Sequence, residues 1–592
     1  MVLFCSCTWG FHIPESSAAG EWTEDCWKEM SHPTWEKANN FLYPPSQFLQ
    51  HSFIWDALTV EELSRPNQSA LLEAYQLSDW KPMFIDAHFS LSPGAKELVR
   101  RLENLEKDAI DPAPYHLKQL QESIRKLEET CSSLELLKPA YLKLVGKIAP
   151  AEQPQARSFS SASDFLAYCR KSASAGSDKN SAYTDFLSGL EAKYKELAES
   201  ASKLDITMTS AIIRLAFELD PFSNEKQVQA FSGQMSMSDL LKSVEPSSPR
   251  YQTIHKAYNH YRDAILRKKE TPRISAASLR LGDSGKDVGQ LQERLREDGF
   301  YKGEINAKFD TATLEAVKEF QARHNLEPDG VVGEQAKTWL NIPSDQKMLL
   351  LARSLKLLRQ SNSRLYDRYI RINTPEFMLE YYKDGKPAAK HRVIVGKSTG
   401  KQIKINGQMV AENNTPPISS HIERLIFNPR WYISDRIRKE LDASLASDPS
   451  IFSRNGYVKM SSTYSWGEPR LFQLPGPKNP LGRIKFEFDN PYAIFIHDTP
   501  NKNLFQRSRR DFSHGCVRVD KAIDLAKLLL HDDGNPAAEK TEAFLGRKDQ
   551  TFVELKTPVP IIIEYIPVTT DEKGHLLFCG DPYGWFKTAS KK

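Results

Sequence analysis

Cysteine is scarce in this chain. Seven occur in 592 residues, at positions 5, 7, 26, 131, 169, 516 and 579. No CxxC pair or Cys/His cluster is present, so no zinc site is expected, and an odd count leaves at least one thiol unpaired. Charge excess is lacking too: 80 basic residues stand against 76 acidic ones, for a net charge of +4. A balance that close gives no electrostatic footprint for nucleic acid. No uninterrupted apolar run approaches the roughly 18 residues of a membrane-spanning helix, so none is expected in the mature chain. The apolar start Met1 to Phe11 lacks the basic residues that open an export signal, although Ser16-Ser17-Ala18-Ala19-Gly20 has the small residues of a cleavage site. It is read either as a shortened signal or as a tail. Nothing in the composition calls for a metal or cofactor. What the chain does have is length, and since one core rarely exceeds about 250 residues, several domains are expected.

Chemistry concentrates between Ile494 and Asp520. The run Tyr492 to Ile496 reads as a buried strand that delivers His497 at its end. A polar loop follows, then Ser513-His514-Gly515-Cys516-Val517-Arg518. From Ala522 to Leu530 the apolar spacing becomes helical, which predicts that Cys516 sits at a loop-to-helix transition. Amide groups and the helix dipole there would favour the thiolate. A lone cysteine is most often an inert core residue, and a lone histidine most often a satisfied polar group. The combination is more specific: a strand-end His, a loop that can close the gap, and a Gly beside the thiol that lets backbone N–H groups approach an oxyanion.

These residues resemble the signature of the cysteine L,D-transpeptidases of bacterial cell-wall synthesis: a His, a gap, then Ser/Thr-His-Gly-Cys, a hydrophobic residue and Asn or Arg. The resemblance implies Cys516 as nucleophile and His497 as its general base. It further implies that the carbonyl or side chain of Asp498 orients the imidazole, and that amides around His514, Gly515 and Cys516 form the oxyanion hole. Arg518 is placed either to hold a stem-peptide carboxylate or to anchor the following helix by a salt bridge. Ser513 and Trp431 are further substrate-side candidates, with Trp431 read mainly as packing.

The whole chain reads as multidomain α+β. After a tail or remnant signal over 1–45, residues 46–275 read as a helical scaffold. Thr59 with Glu62 forms a capping box, and Ser92-Pro93 starts a helix in which Leu98, Leu102, Leu105 and Ala109 share a face. The stripe Leu117, Leu120, Ile124, Leu127, Cys131 and Leu134 reads as packing within the chain, in preference to a partner coiled coil. Ala149 to Ser181 reads as a loop. Residues 276–343 read as a small three-helix bundle carrying Val288, Leu291 and Leu295, then Leu314, Val317 and Phe320, then Trp339 and Leu340, with Gly and Asp at its turns. It resembles the peptidoglycan-binding domain of wall hydrolases. A helix in 344–368 returns to the scaffold.

Residues 369–570 read as a mainly-β, sandwich-like catalytic domain with a capping lobe at about 435–475, and 571–592 as a C-terminal tail. The alternation Phe377, Leu379, Tyr381 before Lys383-Asp384-Gly385-Lys386 predicts a hairpin. Gly396-Lys397-Ser398 imitates the end of a phosphate-binding loop, but a plain turn fits it better. Thr415-Pro416, Asn428-Pro429-Arg430-Trp431 and Gly476-Pro477-Lys478-Asn479-Pro480-Leu481-Gly482 resemble further family segments. The capping lobe reads either as a mobile lid or as a static insertion.

By the resemblance the donor is a tetrapeptide stem that loses D-Ala, the acceptor is the amine of a second stem, and the product is a cross-link. The implied partners are peptidoglycan stem peptides and glycan together with envelope wall-synthesis proteins. Carbapenem β-lactams are implied as inhibitors, and the implied location is the periplasm or cell envelope. A hydrolase using the same Cys/His pair, whether carboxypeptidase, endopeptidase or an enzyme detaching a wall-linked protein, differs only in the fate of the thioester. A non-catalytic wall-binding scaffold is the third reading, and the intact His497 and Cys516 argue against it.

Overall fold

The structure is a computed structural model that describes residues 68–148, 181–266 and 273–586. Within those spans, positions 80, 87–88, 406–407, 434–436, 439–440, 442–446, 449 and 460–470 are outside the described set. The expected N-terminal tail, the Thr59/Glu62 capping box and the loop at 149–180 also lie outside it. The described residues divide into two compact units, one within 79–90 and 123–206, the other taking 68–78, 91–122 and 207–586.

In the smaller unit the buried carboxylate of Asp205 accepts the backbone N–H groups of Met83 and Phe84 at 3.0 and 2.7 Å. Leu127, Leu134, Leu190 and Leu197 are buried in the same unit. In the larger unit Ser92 caps the helix Pro93–Leu102 through the Ala95 N–H. That helix stops at Leu102, short of the expected Leu105 and Ala109. The Asn104 side chain bonds back to the Arg100 carbonyl, and Leu105–Asp108 form a 3-10 turn that ends at Ala109 in the left-handed region. Side-chain competition for a backbone carbonyl is the physical reason.

The expected three-helix bundle is present as Lys286–Glu297, Thr311–Arg323 and Glu334–Leu340, around Val288, Leu291, Leu295, Val317, Phe320 and Leu340. Gly330 is obligatory at its turn: φ is +77°, and a Cβ would lie 2.3 Å from Leu314 Cδ1. The helix Ser344–Gln360 then packs Leu351 and Leu355 against Tyr251 and Ile254 of the helix Pro249–Leu266.

His324 was not anticipated. It is buried between the rings of Phe320 and Phe578, and burial pushes its pKa down to about 3. The unfolded chain binds a proton near pH 6.5 that the folded one refuses, so stability is lost as pH falls from about 6.5 towards 3. The slope is ~1.4 kcal/mol per pH unit for each such histidine. The thermal midpoint is therefore expected to drop between pH 7 and pH 4.5. A His324→Gln variant should start lower at pH 7 yet fall less steeply on acidification, and equal slopes would contradict this account.

The last domain is built on β1 (Tyr369–Asn373), β2 (Met378–Lys383), β3 (Lys386–Gly396), β4 (Gln402–Ile405), β5 (Gln408–Ala411) and β6 (Ile418–Phe427). Next come β7 (Trp431–Tyr432), β8 (Tyr457–Lys459), β9 (Leu471–Gln473), β10 (Ile484–Phe488), β11 (Ile496–His497), β12 (Asp511–Ser513), β13 (Val517–Val519), β14 (Thr551–Glu564), β15 (Val568–Thr570) and β16 (Leu576–Phe578). The strand order is β12-β3-β13-β11-β10-β6-β14-β1-β2, and β2 also pairs with β3. The sheet thus closes on itself, with β12 outside the ring, in place of the sandwich-like assembly expected. The expected hairpin supplies that closure: Asp384 and Gly385, both at positive φ, turn β2 into β3. Closure removes the sheet edges and encloses one core, against which the helix Ala522–Asp532 packs Leu525, Leu529 and Leu530.

Residues 571–586 are not a tail. β15 pairs with β16, and Asp581 accepts the Tyr565 hydroxyl and the N–H groups of Trp585 and Phe586. The rings of Tyr565 and Tyr583 stack with centroids 5.2 Å apart.

Candidate active site

The parallel pairing of β11 with β13 creates the site. Its register sets Ile496 opposite Val517 and His497 opposite Arg518. Side chains alternate across a strand, and paired residues share a face. Ile496, Val517 and Val519 all point into the core and are completely buried. His497, Arg518 and Cys516, which immediately precedes β13, therefore lie on the opposite face. Cys516 is a diagonal neighbour of His497 across this pair. Both line a cavity of about 680 Å³, together with Ser513, His514, Arg518 and Trp431.

The surroundings of Cys516 differ from expectation. β13 follows it directly, and the helix begins only at Ala522. The helix does begin where helical spacing was read, but the strand Val517–Val519 stands between it and Cys516, so the thiol is not at that helix's N-terminus. Its charged neighbour is Arg518. Burial lowers the Arg518 pKa, and Cys516 acts on it in the opposite direction.

The strand that delivers His497 is also shorter than the run Tyr492 to Ile496. Asn490 Oδ1 accepts the N–H groups of Tyr492 and Ile494, and Nδ2 donates to the Ile494 carbonyl at 2.6 Å. Ala493 takes a positive φ of 53°. This side chain replaces a strand ladder, so only Ile496 and His497 pair.

His497 is buried, and its Nδ1 bonds to the backbone carbonyl of Asp498. Of the two options for Asp498 the structure has the carbonyl. The carboxylate is directed elsewhere, accepting the Arg483 N–H at 2.9 Å and the Lys502 ammonium. A carbonyl oxygen has no proton to give, so Nδ1 carries the proton and, in the neutral ring, Nε2 keeps its lone pair. Burial first, then the Arg518 charge, push the His497 pKa down to about 3, against the carbonyls of Asp498 and Leu481.

The wall behind this histidine is assembled from the two Asn-Pro segments. Asn479 Nδ2 donates to the Pro429 carbonyl and Oδ1 accepts the Leu481 N–H, at 3.0 and 2.9 Å. Asn428 accepts from Arg483 Nε and donates to the Phe544 carbonyl. Trp431 of β7 is half-buried, and β7 pairs with β9, which also pairs with β8. The described part of the capping lobe thus begins at Trp431, ahead of the expected boundary.

The turn that carries Cys516 is closed by its own side chains. Ser513 Oγ donates to the Cys516 carbonyl at 2.6 Å and accepts the Gly515 N–H at 3.1 Å. Gly515 has φ +117°, a conformation that strains any other residue. Of the amides expected around the oxyanion, that of Gly515 is thus engaged by Ser513. His514 Nε2 lies 3.4 Å from Lys397 Nζ. Arg518 Nε is buried without a hydrogen-bond partner, and no carboxylate among the described residues acts on it, so the helix-anchoring salt bridge is not formed there.

Sequence reasoning missed the hairpin β4–β5, which contributes Ile403 to the cavity, and it missed Glu412 and Tyr492 in the lining. It also missed the hydroxyl of Thr415, which donates to the Gly515 carbonyl at 2.7 Å. The Thr-Pro pair flagged that position without its contact. Gly396, read as a plain turn, ends β3 against backbone: a Cβ there would lie 1.9 Å from the Asn413 carbonyl oxygen. Among the described residues no group of three or more His, Cys, Asp or Glu could hold a metal ion.

Comparison with known proteins places these elements. Residues 367–561 match the family model of the L,D-transpeptidase catalytic domain, and residues 284–340 that of a peptidoglycan binding domain. A provisionally named L,D-transpeptidase of Haemophilus influenzae is 28% identical over 254 residues, 40% of this chain and 48% of that protein. The chain therefore spans about half the length of this relative. The spore cortex-lytic enzyme of Bacillus subtilis is 40% identical over 74 residues, 12% of this chain and 24% of its own. Among solved structures, an L,D-transpeptidase of Xylanimonas cellulosilytica is 18% identical, covering 50% of this chain and 100% of its own at a TM-score of 0.17.

Proposed function

We propose that this chain, which carries an L,D-transpeptidase catalytic domain over residues 367–561 and a peptidoglycan-binding domain over 284–340, cross-links peptidoglycan stems through a thioester on Cys516. The observation that carries the reading is the β11/β13 register, which brings His497, Cys516 and Arg518 to one face of one cavity.

Cys516 Sγ attacks the carbonyl carbon between the third stem residue and the terminal D-Ala while His497 Nε2 takes the thiol proton. His497 rests neutral, as burial and the Arg518 charge dictate, and Nε2 is its unprotonated nitrogen. The C–N bond then breaks, the proton passes to the departing D-Ala amine, and the acyl group remains as a thioester. An amine of a second stem attacks the thioester, His497 accepts its proton, and the thiol is restored as the new amide forms. Arg518, a cation with a buried unpartnered Nε in the cavity, suits a stem carboxylate.

Site residues beyond this core take supporting roles. Ser513 shapes the turn, and Trp431 forms the wall of the groove. The same thiol would be acylated by carbapenems. The three-helix bundle would hold the enzyme to its polymer in the cell envelope or periplasm. No described helix is long and apolar enough to cross a membrane.

The test is to incubate the full chain with disaccharide-tetrapeptide and weigh the products. A dimer that has lost one D-Ala is expected. A monomeric disaccharide-tripeptide alone would make water the acceptor and the chain a carboxypeptidase, and unchanged substrate with no acyl adduct would sink both.

A further inference from the structure

Two hydroxyl groups connect the C-terminal segment to the turn that carries Cys516. The Tyr583 hydroxyl donates to the Gly396 carbonyl at 2.8 Å and accepts the Thr415 N–H at 3.1 Å. The Thr415 hydroxyl accepts the Gly396 N–H at 2.9 Å and donates to the Gly515 carbonyl at 2.7 Å. A hydroxyl has one hydrogen to give. Each of these is committed: the Thr415 N–H donates to Tyr583 and Tyr583 to the Gly396 carbonyl, while the Gly396 N–H donates to the Thr415 hydroxyl and that hydroxyl to Gly515.

The packing leaves no slack along this path. Thr415 is completely buried, and the Cβ that Gly396 lacks would collide with Asn413, Asn414 and Thr415 backbone atoms. Tyr583 is held in turn by its own N–H, which donates to the Tyr565 hydroxyl at 2.8 Å, and by Asp581 beneath Tyr565.

What this controls follows from peptide geometry. The Gly515 carbonyl and the Cys516 N–H belong to one planar unit and point in opposite directions. Fixing one aims the other. Ser513 ties down the peptide units on either side, through the Gly515 N–H and the Cys516 carbonyl. The unit between them is held from outside the turn, by Thr415.

We infer that Tyr583 and Thr415 are positioning residues that aim the Cys516 amide at the oxyanion formed during acyl transfer. The catalytic apparatus then extends beyond residue 561, into a segment that does not line the cavity. This rests on Cys516 being the acyl-accepting nucleophile.

The test uses the full chain and two reactions of the same sulfur. Acyl transfer from disaccharide-tetrapeptide needs an oxyanion donor, whereas alkylation by iodoacetamide forms none. Tyr583→Phe and Thr415→Val should each lower kcat about tenfold with KM for the donor within about twofold, below the full loss of a direct oxyanion donor. Thr415→Ser should retain activity. The double variant Tyr583→Phe/Thr415→Val should be no slower than the slower single one, because both act through one bonded path. Alkylation of Cys516, followed by peptide mass spectrometry, should proceed at the wild-type rate in all four. Unchanged kcat in Tyr583→Phe overturns the inference, and so does an equal fall in alkylation and acyl transfer, which would mark a loss of packing. If wild-type Cys516 is alkylated but never acylated, it is the proposed function that fails.

Discussion

Cys516→Ala is expected to abolish the cross-linked product and the carbapenem adduct while the protein melts as the wild type does. The separation follows from where the side chain sits. Its strand neighbours Val517 and Val519 carry the packing, completely buried in the core, whereas Sγ lies on the cavity face with a long contact of 3.9 Å to the Ala493 carbonyl. Removing one sulfur from an open cavity leaves no enclosed void, so the stability change should stay within about 0.5 kcal/mol. The chemistry has no substitute. Alanine offers no lone pair, and loss of a nucleophile that acts as a unit with its base costs on the order of 10⁶ in rate. Mass spectrometry of the reaction and of a carbapenem-treated sample checks both halves. Dimeric stem product from the alanine variant would show that another residue is the nucleophile.

Gly482→Ala should also lower turnover strongly, without touching the cavity. Gly482 has φ +61°, and an added Cβ would fall 2.4 to 2.7 Å from the Oδ2, Cγ and Cβ atoms of Asp498. Relief requires Asp498 to move, and the Asp498 carbonyl is what holds Nδ1 of His497. A displaced imidazole loses its reach to the thiol, so kcat should fall by about 10²-fold or more, the usual worth of a general base. Left-handed backbone and crowding together should cost about 2–3 kcal/mol of stability. Gly476→Ala is the control, since it lies a few residues earlier in the same segment and its Cβ would meet nothing within 4 Å. Equal steady-state kinetics for the two alanine variants would mean that the Asp498 carbonyl does not matter to His497.

Much of the local structure was legible in the residues. The three-helix bundle follows from apolar spacing interrupted by glycines at positive φ, among them Gly299 and Gly330. The β2–β3 hairpin follows from alternation on either side of Asp384-Gly385. Where the reading went wrong, a side chain had intervened on a backbone. Asn490 cut short the strand before His497, and Asn104 ended the helix that was to include Leu105. The helix was read from Ala522, where it begins, but Val517 and Val519 offered too few residues to show the strand that separates it from Cys516, so the thiol was placed beside a helix N-terminus it does not adjoin.

Residue types and short spacings alone determined that a strand-end histidine, a thiol beside a glycine and an arginine two residues on belong together, because each is a property of a few consecutive positions. Tertiary structure decided how they meet. It set His497 opposite Arg518 across a parallel pair, directed the Asp498 carbonyl and not its carboxylate at the ring, and brought Tyr583 across 187 positions to Gly396. Such bonds join segments remote along the chain once a closed sheet fixes their register, and a contact of that kind imposes no period on the sequence from which it could be read.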